Sequence, residues 1–332
     1  MKTLRAVQYG MGPIGCQCVR QMAQRAGLEV VGAIDIDPAK IGQDVGEIAG
    51  VGRPLGCTVT DDAGALFATA RPDIVIHTTS SSLAAIKDQL TEIIKAGLNV
   101  VTTCEEAAMP ALQNPELAAE LDALARDHGV TILGTGINPG FAMDAIAIAL
   151  SAPSRGVKEV YIHRTVDAGE RRLPLQRKVG AGVTLEEFEA RKAARTLKHV
   201  GQPESVAMIA AALGWELDAI EETLEPVVAK QTLTTEFLTV QPGQVAGIHQ
   251  VAVGRQGDKT PIKLVLDMYV GAPDPGEHIL LQGEDRIETH IKGIHGDTAT
   301  AAVVINSIPR VIEAPAGFLT MADLPIVRYW DA

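Results

Sequence analysis

The chain has 332 residues, of which 46% are hydrophobic, 21% are charged and only 3% are aromatic. Its length exceeds the usual size of one hydrophobic core, so we expect two domains with largely aliphatic interiors. The formal net charge of -12 argues against nucleic acid or an anionic membrane as the main partner, and small molecules are the expected ligands. The sequence has neither a transmembrane-length apolar run nor a signal-peptide pattern, which predicts a cytoplasmic location.

The first part of the chain alternates short aliphatic runs with amphipathic segments. The expected strands are "LRAVQYG", "LEVVGAID", "CTVT", "DIVIHTT", "NVVTTC" and "VTILGTG". Two helices are expected between the later strands, "SSLAAIKDQLTEIIKAG" with serine caps and "NPELAAELDALARDHG" with Asn114 as cap. This alternation predicts an α/β fold, a Rossmann-type doubly wound parallel sheet that forms a dinucleotide-binding domain over residues 1–137.

A glycine-rich turn follows the first expected strand. In "YGMGPIGCQCV", Gly10, Gly12 and Gly15 have the G-x-G-x-x-G spacing, which permits a tight turn, close approach of a pyrophosphate and close packing of helix on strand. The alternative is a glycine-rich turn that binds nothing. We predict a cofactor-binding turn made of Gly10, Met11, Gly12, Pro13, Ile14 and Gly15.

An acidic residue stands where the second expected strand ends, about 20 positions after the glycines. This residue is Asp35, whose carboxylate can accept hydrogen bonds from ribose hydroxyls and would repel a 2'-phosphate. Lys40 softens that repulsion. The expected cofactor is therefore NAD, with NADP as a second cofactor.

Polar residues follow the next two strands, where ligands bind in an open doubly wound sheet. Thr78, Thr79 and Ser80 follow the fourth strand and can bond ribose or pyrophosphate, although helix capping is an alternative role. In "TTCEE", after the fifth strand, Thr103 and Cys104 are also expected beside the cofactor.

Two adjacent carboxylates follow Cys104 at the end of the fifth strand. Glu106 is expected to cap the next helix, where the helix dipole favours a negative charge. Glu105 would then lie beside the nicotinamide, attract a cationic substrate and take its proton, because hydride leaves a carbon bearing a neutral amine more readily. A solvated, inert Glu105 is the alternative, and the sequence leaves open which of the two acids is the base.

The sixth strand ends at "GINPGFAMDAIAIAL". Pro139 and Gly140 precede an apolar segment, which predicts that Asn138 caps a helix and that the N–H groups there meet a carboxamide. Capping without any ligand is the alternative.

Longer alternating strands follow, including "QTLTTEFLTV", "QVAGIHQVAVGRQ", "IKLVLDMYVGA" and "RIETHIKGI", with two helices before them. They predict an α+β domain with a largely antiparallel sheet over residues 138–295, for substrate binding and oligomerisation. The helix from Gly296 is expected to return to the nucleotide domain with residues 296–332, and Pro309 to kink or end it. A second subunit is the expected cover for the exposed sheet face, which predicts a homodimer.

Several motifs together resemble the 2,4-diaminopentanoate dehydrogenase and native amine dehydrogenase family. They are "GMGPIG", "DIDPAKIGQDVGEIAG", "TTCEE", "GTGINPGFAMD", "RTVDAGERRLPLQRKVGAG", "HVGQPESVAMIA" and "IHGDTATAAVVINSIPRV". The resemblance implies nicotinamide-dependent oxidative deamination of a small amine or diamino acid, and the reverse amination of a ketone or aldehyde with ammonia. It implies that Glu105 is catalytic and that the substrate pocket is lined by Asn138, Pro139, Phe141, Arg164 and His199.

Alternatives remain for residues and function. Arg164 in an alternating strand can equally be a surface residue paired with an acid, with His163 on the opposite side, and His199 can be a structural histidine. No metal is expected, because the cysteines lack Cys-x-x-Cys spacing and no histidine pair has the spacing of ligands on a helix. A dihydrodipicolinate reductase-like enzyme would need a paired-histidine motif that is absent, and the intact "TCEE" acids argue against a silent NAD-binding sensor.

Overall fold

A computed structural model describes residues 3–194, 196–197 and 199–330 of the chain. The chain divides into two compact units. The first unit joins Met1–Phe141 to His295–Ala332, and the second unit is Ala142–Ile294. Within the described ranges, every helix is too short or too polar to span a membrane.

The first unit is built on a seven-stranded parallel sheet in the order β15-β6-β5-β4-β1-β2-β3. Its strands, numbered along the whole chain, are β1 (Leu4–Tyr9), β2 (Leu28–Ile34), β3 (Val59–Thr60), β4 (Ile74–His77), β5 (Asn99–Thr102), β6 (Thr131–Gly134) and β15 (Gly317–Leu319). The strand order reverses between β1 and β4, which confirms the Rossmann-type doubly wound sheet. The six predicted strands are all present, whereas the short β15 was not predicted.

Helices and two short 3-10 helices connect these strands. They are α1 (Pro13–Met22), α2 (Val45–Ala49), α3 (Ala63–Ala70), α4 (Lys87–Lys95), α5 (Pro115–His128) and α10 (Gly296–Glu313), with the 3-10 helices Ala84–Ile86 and Glu105–Ala108. Apolar strand residues such as Val75 and Val100 pack with Leu90, Ile93 and Leu121 from the helices. The core is therefore aliphatic, as the composition indicates.

Pro309 was predicted to kink or end α10, and of these two effects the early end is wrong, because the helix continues to Glu313. Proline has no N–H to bond the carbonyl four residues earlier, which is that of Ile305. Trp330 Nε1 donates to the Ile305 oxygen at 3.0 Å instead. A substitute donor thus satisfies the group that the proline leaves unbonded.

The second unit contains a six-stranded sheet in the order β14-β13-β7-β12-β11-β8. Its strands are β7 (Val157–Asp167), β8 (Ala219–Val228), β11 (Val245–Gln256), β12 (Lys259–Tyr269), β13 (Gly276–Gly283) and β14 (Arg286–Ile291), and a separate pair is formed by β9 (Leu233–Thr234) and β10 (Thr239–Val240). The β7–β12 pair is parallel and the other four neighbouring pairs are antiparallel. This arrangement confirms the predicted largely antiparallel sheet.

One expected strand of this unit is wrong. The segment "QTLTTEFLTV" is not continuous but turns back on itself between β9 and β10. The hydroxyl oxygen of Thr235 accepts hydrogen bonds from the backbone N–H groups of Phe237 and Leu238, which closes the turn. At this turn, local hydrogen bonds to a side chain take the place of the hydrogen bonds between paired strands.

Helices cover one face of the six-stranded sheet. The helices of this unit are α6 (Ala145–Leu150), α7 (Leu173–Lys178), α8 (Leu185–Ala193) and α9 (Gln202–Leu213), and a 3-10 helix spans Ala168–Glu170. Ile162, Leu264 and Ile279 from the strands pack with Ala147 of α6 and Ile209 of α9. Three helices, α7 to α9, stand where two were expected before the later strands.

Candidate active site

The glycine-rich turn joins β1 to α1 and gives its three glycines different environments. Gly10 has φ +93°, a conformation that glycine adopts without strain. A Cβ on Gly15 would lie 1.9 Å from the Gly10 carbonyl oxygen, so only glycine fits there. Apart from Gly12 itself and its two chain neighbours, no heavy atom of the described residues lies within 4 Å of a Cβ built on Gly12. The turn is closed at Gly10 and Gly15 and open at Gly12, where a pyrophosphate can approach the backbone.

The start of α1 fits the same ligand. Pro13 occupies its first turn, and no side chain in the described part of the chain caps this helix end. The first N–H groups of a helix have no partner within the helix and attract anions. An open glycine beside an uncapped helix end therefore suits the pyrophosphate of a dinucleotide.

Asp35 lies directly after β2 and is held against the glycine turn. Its carboxylate accepts hydrogen bonds from the backbone N–H groups of Met11 at 2.7 Å and Asp37 at 2.9 Å. Lys40 Nζ lies 3.1 Å from Asp35 Oδ2. Burial alone would raise the pKa of Asp35, but these hydrogen bonds and the Lys40 charge outweigh it and hold the pKa below its ordinary value. An ionised carboxylate and its lysine partner therefore stand beside the turn.

The hydroxyl groups after β4 have partners within the protein. Thr78 Oγ1 donates to the Gly10 carbonyl oxygen at 2.9 Å, and Thr79 Oγ1 donates to Gln89 Oε1 at 2.8 Å. Ser80 Oγ accepts a hydrogen bond from a backbone N–H two residues later, at 3.3 Å. Thr78 thus fixes the glycine turn itself, whatever it contacts in a bound cofactor.

His77, the last residue of β4, supports this edge of the sheet and was missed by sequence reasoning. Its Nδ1 lies 2.9 Å from Thr102 Oγ1, and its Nε2 lies 2.8 Å from Gln89 Oε1. Burial lowers the pKa of His77 to about 4, so the imidazole is neutral at pH 7. It ties the ends of β4 and β5 together. The available signal was a lone polar residue closing the apolar run "DIVIH".

Glu106 has a structural role in the 3-10 helix after β5. Its Oε2 accepts hydrogen bonds from the backbone N–H of Leu83 at 2.7 Å and from Asn114 Nδ2 at 3.3 Å. Leu83 is the cap residue of the 3-10 helix Ala84–Ile86. Glu106 is therefore a capping group, but it caps the helical segment after β4 and not the next helix.

Two helices lack the side-chain capping bond that was expected, although Asn114 is the cap residue of α5, as predicted. No serine side chain caps α4 within the described residues, and the N–H at the start of the preceding segment bonds Glu106. Asn114 likewise gives its amide to Glu106 and makes no side-chain cap on α5. At the segment after β4, the Glu106 carboxylate from another strand end supplies the cap, and sequence spacing does not reveal such a partner.

Glu105 is half-buried at the start of the same 3-10 helix. The chain is fixed just before it, since the Thr103 N–H donates to the His77 carbonyl at 3.0 Å. Burial raises the pKa of the Cys104 thiol to about 12, and the Glu105 and Glu106 charges act in the same direction. Cys104 is therefore a neutral, buried thiol. Of the two acids, Glu106 is the one that caps the helical segment after β4.

Asn138 follows β6, which is the neighbour of β5 in the sheet. It is 8% exposed, and neither Oδ1 nor Nδ2 has a hydrogen-bond partner among the described residues. An unsatisfied buried amide costs about 1–3 kcal/mol, so such a group points to a ligand. The prediction that Asn138 caps a helix is wrong. The Asn138–Pro139 peptide is cis, and α6 begins only at Ala145, with Asp144 as its cap.

Arg164 lies on β7 of the second unit, opposite Glu277 of β13. Its Nε is 3.3 Å from Glu277 Oε1, and both residues are 3% exposed. Burial lowers the pKa of Arg164 to about 10 and raises the pKa of Glu277, while each charge opposes the change in the other. Arg164 is thus paired with an acid, but the pair is buried and not on the surface as the alternative had it. His163 faces the other side, as predicted, and bonds Asp267 at 2.7 Å.

His199 belongs to the same electrostatic environment as Arg164. Gln250 holds its backbone, accepting from the N–H at 3.0 Å and donating to the carbonyl at 2.8 Å. Burial lowers the pKa of His199 to about 3, and the charges of Lys178, Arg164 and Arg171 act in the same direction. The imidazole is therefore neutral at working pH, and its buried Nδ1 has no partner within the described residues.

The predicted residues fall into groups that the two units hold separately. In the first unit, one group surrounds the glycine turn and a second lies beyond β5 and β6. In the second unit, the structure brings Arg164 and His199 within electrostatic reach of each other. Sequence reasoning missed Arg171 and Gln202, which are 7% and 0% exposed and belong to the second unit. Their signals were the neighbouring motifs "RTVDAGERR" and "HVGQPES".

The sheet and the glycine turn define a Rossmann-type protein with a second, α+β unit. Residues 10–134 match the family model of the homoserine dehydrogenase NAD-binding domain. Residues 141–331 match the family model of the 2,4-diaminopentanoate dehydrogenase C-terminal domain. The chain belongs to the 2,4-diaminopentanoate dehydrogenase family, as its sequence motifs predict.

Related proteins match over nearly the whole chain. A 2,4-diaminopentanoate dehydrogenase from Acetoanaerobium sticklandii is 29% identical, covering 99% of this chain and 95% of that protein. An amine dehydrogenase from Streptomyces virginiae is 25% identical, covering 97% and 96%. A solved structure of an amine dehydrogenase from Mycobacterium smegmatis is 28% identical, with a TM-score of 0.86 over 98% of this chain and 97% of that chain.

Proposed function

We propose that this protein is an NAD-dependent amine dehydrogenase. It oxidatively deaminates a small amine or diamino acid and, in reverse, aminates a ketone or aldehyde with ammonia. The full-length similarity to a 2,4-diaminopentanoate dehydrogenase and an amine dehydrogenase supports this activity. The observation that carries the proposal is that Glu106, one of the two adjacent acids, accepts hydrogen bonds from Leu83 and Asn114 and serves as a cap. We assign the role of base to its neighbour Glu105, as the family resemblance implies.

Glu105 supplies the proton chemistry in this proposal. Its carboxylate accepts a proton from the substrate ammonium, so the nitrogen is neutral when hydride leaves the adjoining carbon. NAD supplies the hydride acceptor when bound. Asn138 offers a buried amide donor and acceptor that can orient the nicotinamide carboxamide or the substrate. Water then hydrolyses the imine and releases ammonia, and reductive amination follows the same steps backwards.

Asp35 and Lys40 set the cofactor preference. The ionised Asp35 would bind ribose hydroxyls and repel a 2'-phosphate, which favours NAD. Lys40, within 3.1 Å of Asp35 and 3.5 Å of Asp37, reduces that repulsion, so we propose NADP as a poorer second cofactor. A Michaelis constant for NADP well below that for NAD would contradict this assignment.

Arg164 and His199 are proposed to recognise an anionic or polar group of the substrate. Arg164 Nη1 and His199 Nδ1 are buried donors or acceptors that lack partners within the described residues. The positive charges around the neutral His199 favour an anion. This arrangement fits a substrate that carries a carboxylate in addition to the reacting amine.

We further propose a cytoplasmic homodimer. The sheet face opposite α6 and α9 carries half-exposed residues such as Tyr161, His163 and Tyr269, and a second copy of the chain is its proposed cover. Light scattering after size-exclusion chromatography should give twice the mass of one chain. The mass of a single chain would contradict this part of the proposal.

The activity is tested by following NADH absorbance with a panel of small ketones, aldehydes and keto acids, each with and without ammonium. Oxidation that requires ammonium is the expected result. Oxidation without ammonium would identify an imine or carbonyl reductase instead. Cofactor binding without turnover of any compound would support a silent sensor.

A further inference from the structure

A cluster of two histidines and one glutamate lies at the edge of the six-stranded sheet, on the face that carries Tyr161 and His163 and opposite to the face of Arg164. His278 is on β13, and Glu288 and His290 are on the edge strand β14. The register pairs His278 directly with His290 and pairs Leu280 with Glu288. Residues two apart on a strand share a face, and directly paired residues adjoin across strands. All three side chains therefore project from one face of the β13–β14 hairpin.

The donor atoms of this cluster are close enough to share an ion. His278 Nε2 lies 2.8 Å from Glu288 Oε1, and His290 Nε2 lies 3.9 Å from the same oxygen. One donor atom from each residue falls within 4.8 Å of the other two. Donors bound about 2.0–2.1 Å from a tetrahedral zinc ion lie about 3.3 Å apart. The observed separations from Glu288 Oε1 lie on either side of that value, so rotation of the side chains can bring the three donors to one ion.

Neighbouring groups already orient the three side chains. The imidazole rings of His278 and His290 are stacked, with centroids 4.3 Å apart and an angle of 4° between their planes. Tyr161 packs edge-on against His278 at 5.8 Å. Arg286 donates to Glu288 Oε2 at 2.7 Å, which turns Oε1 towards the histidines. The hydrogen bond from Arg286 is the kind of outer contact that orients a ligating carboxylate. The stacked rings hold the two imidazoles side by side, and one of them must turn for both nitrogens to reach the same ion.

We propose that His278, Glu288 and His290 form a binding site for a divalent transition metal of the zinc type. Two imidazole nitrogens and one carboxylate oxygen suit Zn²⁺, Ni²⁺ or Cu²⁺, whereas Mg²⁺ and Ca²⁺ prefer oxygen ligands alone. Three protein ligands leave a fourth position for water. The bound metal would clip the edge strand β14 to β13.

The sequence expectation of no metal site did not consider this geometry. It rested on paired cysteines and on histidine spacing along a helix. Ligands on two paired strands follow a different rule: two residues apart on one strand, as in Glu288 and His290, and directly opposite on the other. The segments "HILLQG" and "RIETHI" place the residues correctly only when their register is known.

Equilibrium dialysis of tag-free protein against Zn²⁺, with metal measured by mass spectrometry, tests the site. Wild type should bind one zinc ion per chain, and His290→Ala and Glu288→Ala should bind it at least about tenfold more weakly. The matched control is His128→Ala, which removes an exposed histidine of α5 and should bind like wild type. Mg²⁺ should not compete.

Thermal unfolding gives a second readout that does not depend on enzyme activity. A ligand that binds only the folded state raises its melting temperature. Zinc should therefore raise the melting temperature of wild type and of His128→Ala, but not that of His290→Ala. Wild type that binds no zinc, or His290→Ala that binds zinc as wild type does, would overturn the proposal.

Discussion

Adjacent glutamates after β5 have the same chemistry and different surroundings. Glu106 receives two hydrogen bonds from other parts of the first unit and holds the segment after β4 in place. The sequence predicted both a cap and a base in this pair and left their order open. The structure shows that Glu106 is the cap. Sequence alone could not show this, because Leu83 and Asn114 become its neighbours only when the chain is folded.

Substitution of each glutamate by glutamine should separate the two roles. Glu105→Gln should bind NAD normally and lose turnover by a factor of about 100 or more, the scale of a lost general base. Glu106→Gln keeps an oxygen that accepts the Leu83 N–H, so it should retain most turnover while the unfolding free energy falls by about 1 kcal/mol. Steady-state kinetics, NAD titration and urea unfolding measure these effects. Full turnover by Glu105→Gln would reject its role as base.

The glycine turn allows a similar separation of binding from folding. Gly12→Val adds a side chain where the described residues leave open space, so the protein should fold normally. The added methyl groups would crowd the pyrophosphate, and NAD binding should weaken by about 1–3 kcal/mol, a typical cost of overpacking. Fluorescence titration with NADH measures the change. Gly15→Ala is the control: its Cβ would meet the Gly10 oxygen at 1.9 Å, so it should destabilise the fold itself. Unchanged NADH affinity in Gly12→Val would contradict the assigned phosphate site.

At the scale of elements, apolar runs flanked by turn residues predicted the six parallel strands, since strands buried on both faces are nearly all aliphatic. The same criterion missed β8, β13 and β15. Residues of β8 alternate between exposed and half-buried, and its sequence "AIEETLEPVV" is rich in glutamate. β15 has only three residues, and its pairing with β6 is not visible in local sequence.

The β7–β13 pairing places Arg164 against Glu277, two residues that no local pattern joins. Arg164→Met should lower the unfolding free energy by about 3–5 kcal/mol, because Glu277 would remain as a buried charge without its partner. The double variant Arg164→Met with Glu277→Met should recover most of that loss. Urea unfolding of both variants and wild type measures the difference. A double variant no more stable than the single one would show that the pair is not the cause.

The same two variants test recognition of an anionic group. Both should raise the Michaelis constant for substrates with a carboxylate and leave that for neutral amines largely unchanged. An equal rise in the Michaelis constant for neutral and acidic substrates would indicate that the role of Arg164 is only structural.

At the scale of the whole molecule, buried neutral histidines make stability depend on pH. The folded-state pKa of His77 is about 4, below the ordinary value of 6.5. Between these values the unfolded chain binds a proton that the folded chain does not, so the folded state loses stability as pH falls. Over this window His77 should contribute a loss of up to about 3 kcal/mol. His199, with a pKa of about 3, acts in the same direction.

Denaturant unfolding from pH 7 to pH 4.5 measures this loss. His77→Asn should be less stable than wild type at pH 7, because the bonds to Thr102 and Gln89 are altered, but its stability should fall less steeply with pH. Parallel curves for the two proteins would contradict the assigned pKa of His77.

The spacing of residues along the chain was enough to predict the nucleotide-binding residues. It predicted much less of the rest of the candidate site. Gly10, Gly15 and Asp35 are recognisable because a turn, a tight packing contact and a strand end recur at fixed intervals. The Arg164–Glu277 pair, the His77 network and the histidines of the β13–β14 hairpin depend on strand order and register. Register is set by the pairing of distant segments and not by any one segment, so sequence alone could not place them.

The proposed activity forms a carbon–nitrogen bond from ammonia while NADH is oxidised. The most direct measurement incubates the protein with NADH, ¹⁵N-ammonium and a ketone or keto acid that supports NADH oxidation, and analyses the product by mass spectrometry. We expect an amine that carries ¹⁵N in an amount equal to the NADH consumed, and no such amine with Glu105→Gln. An alcohol, or any reduced product without ¹⁵N, would contradict it.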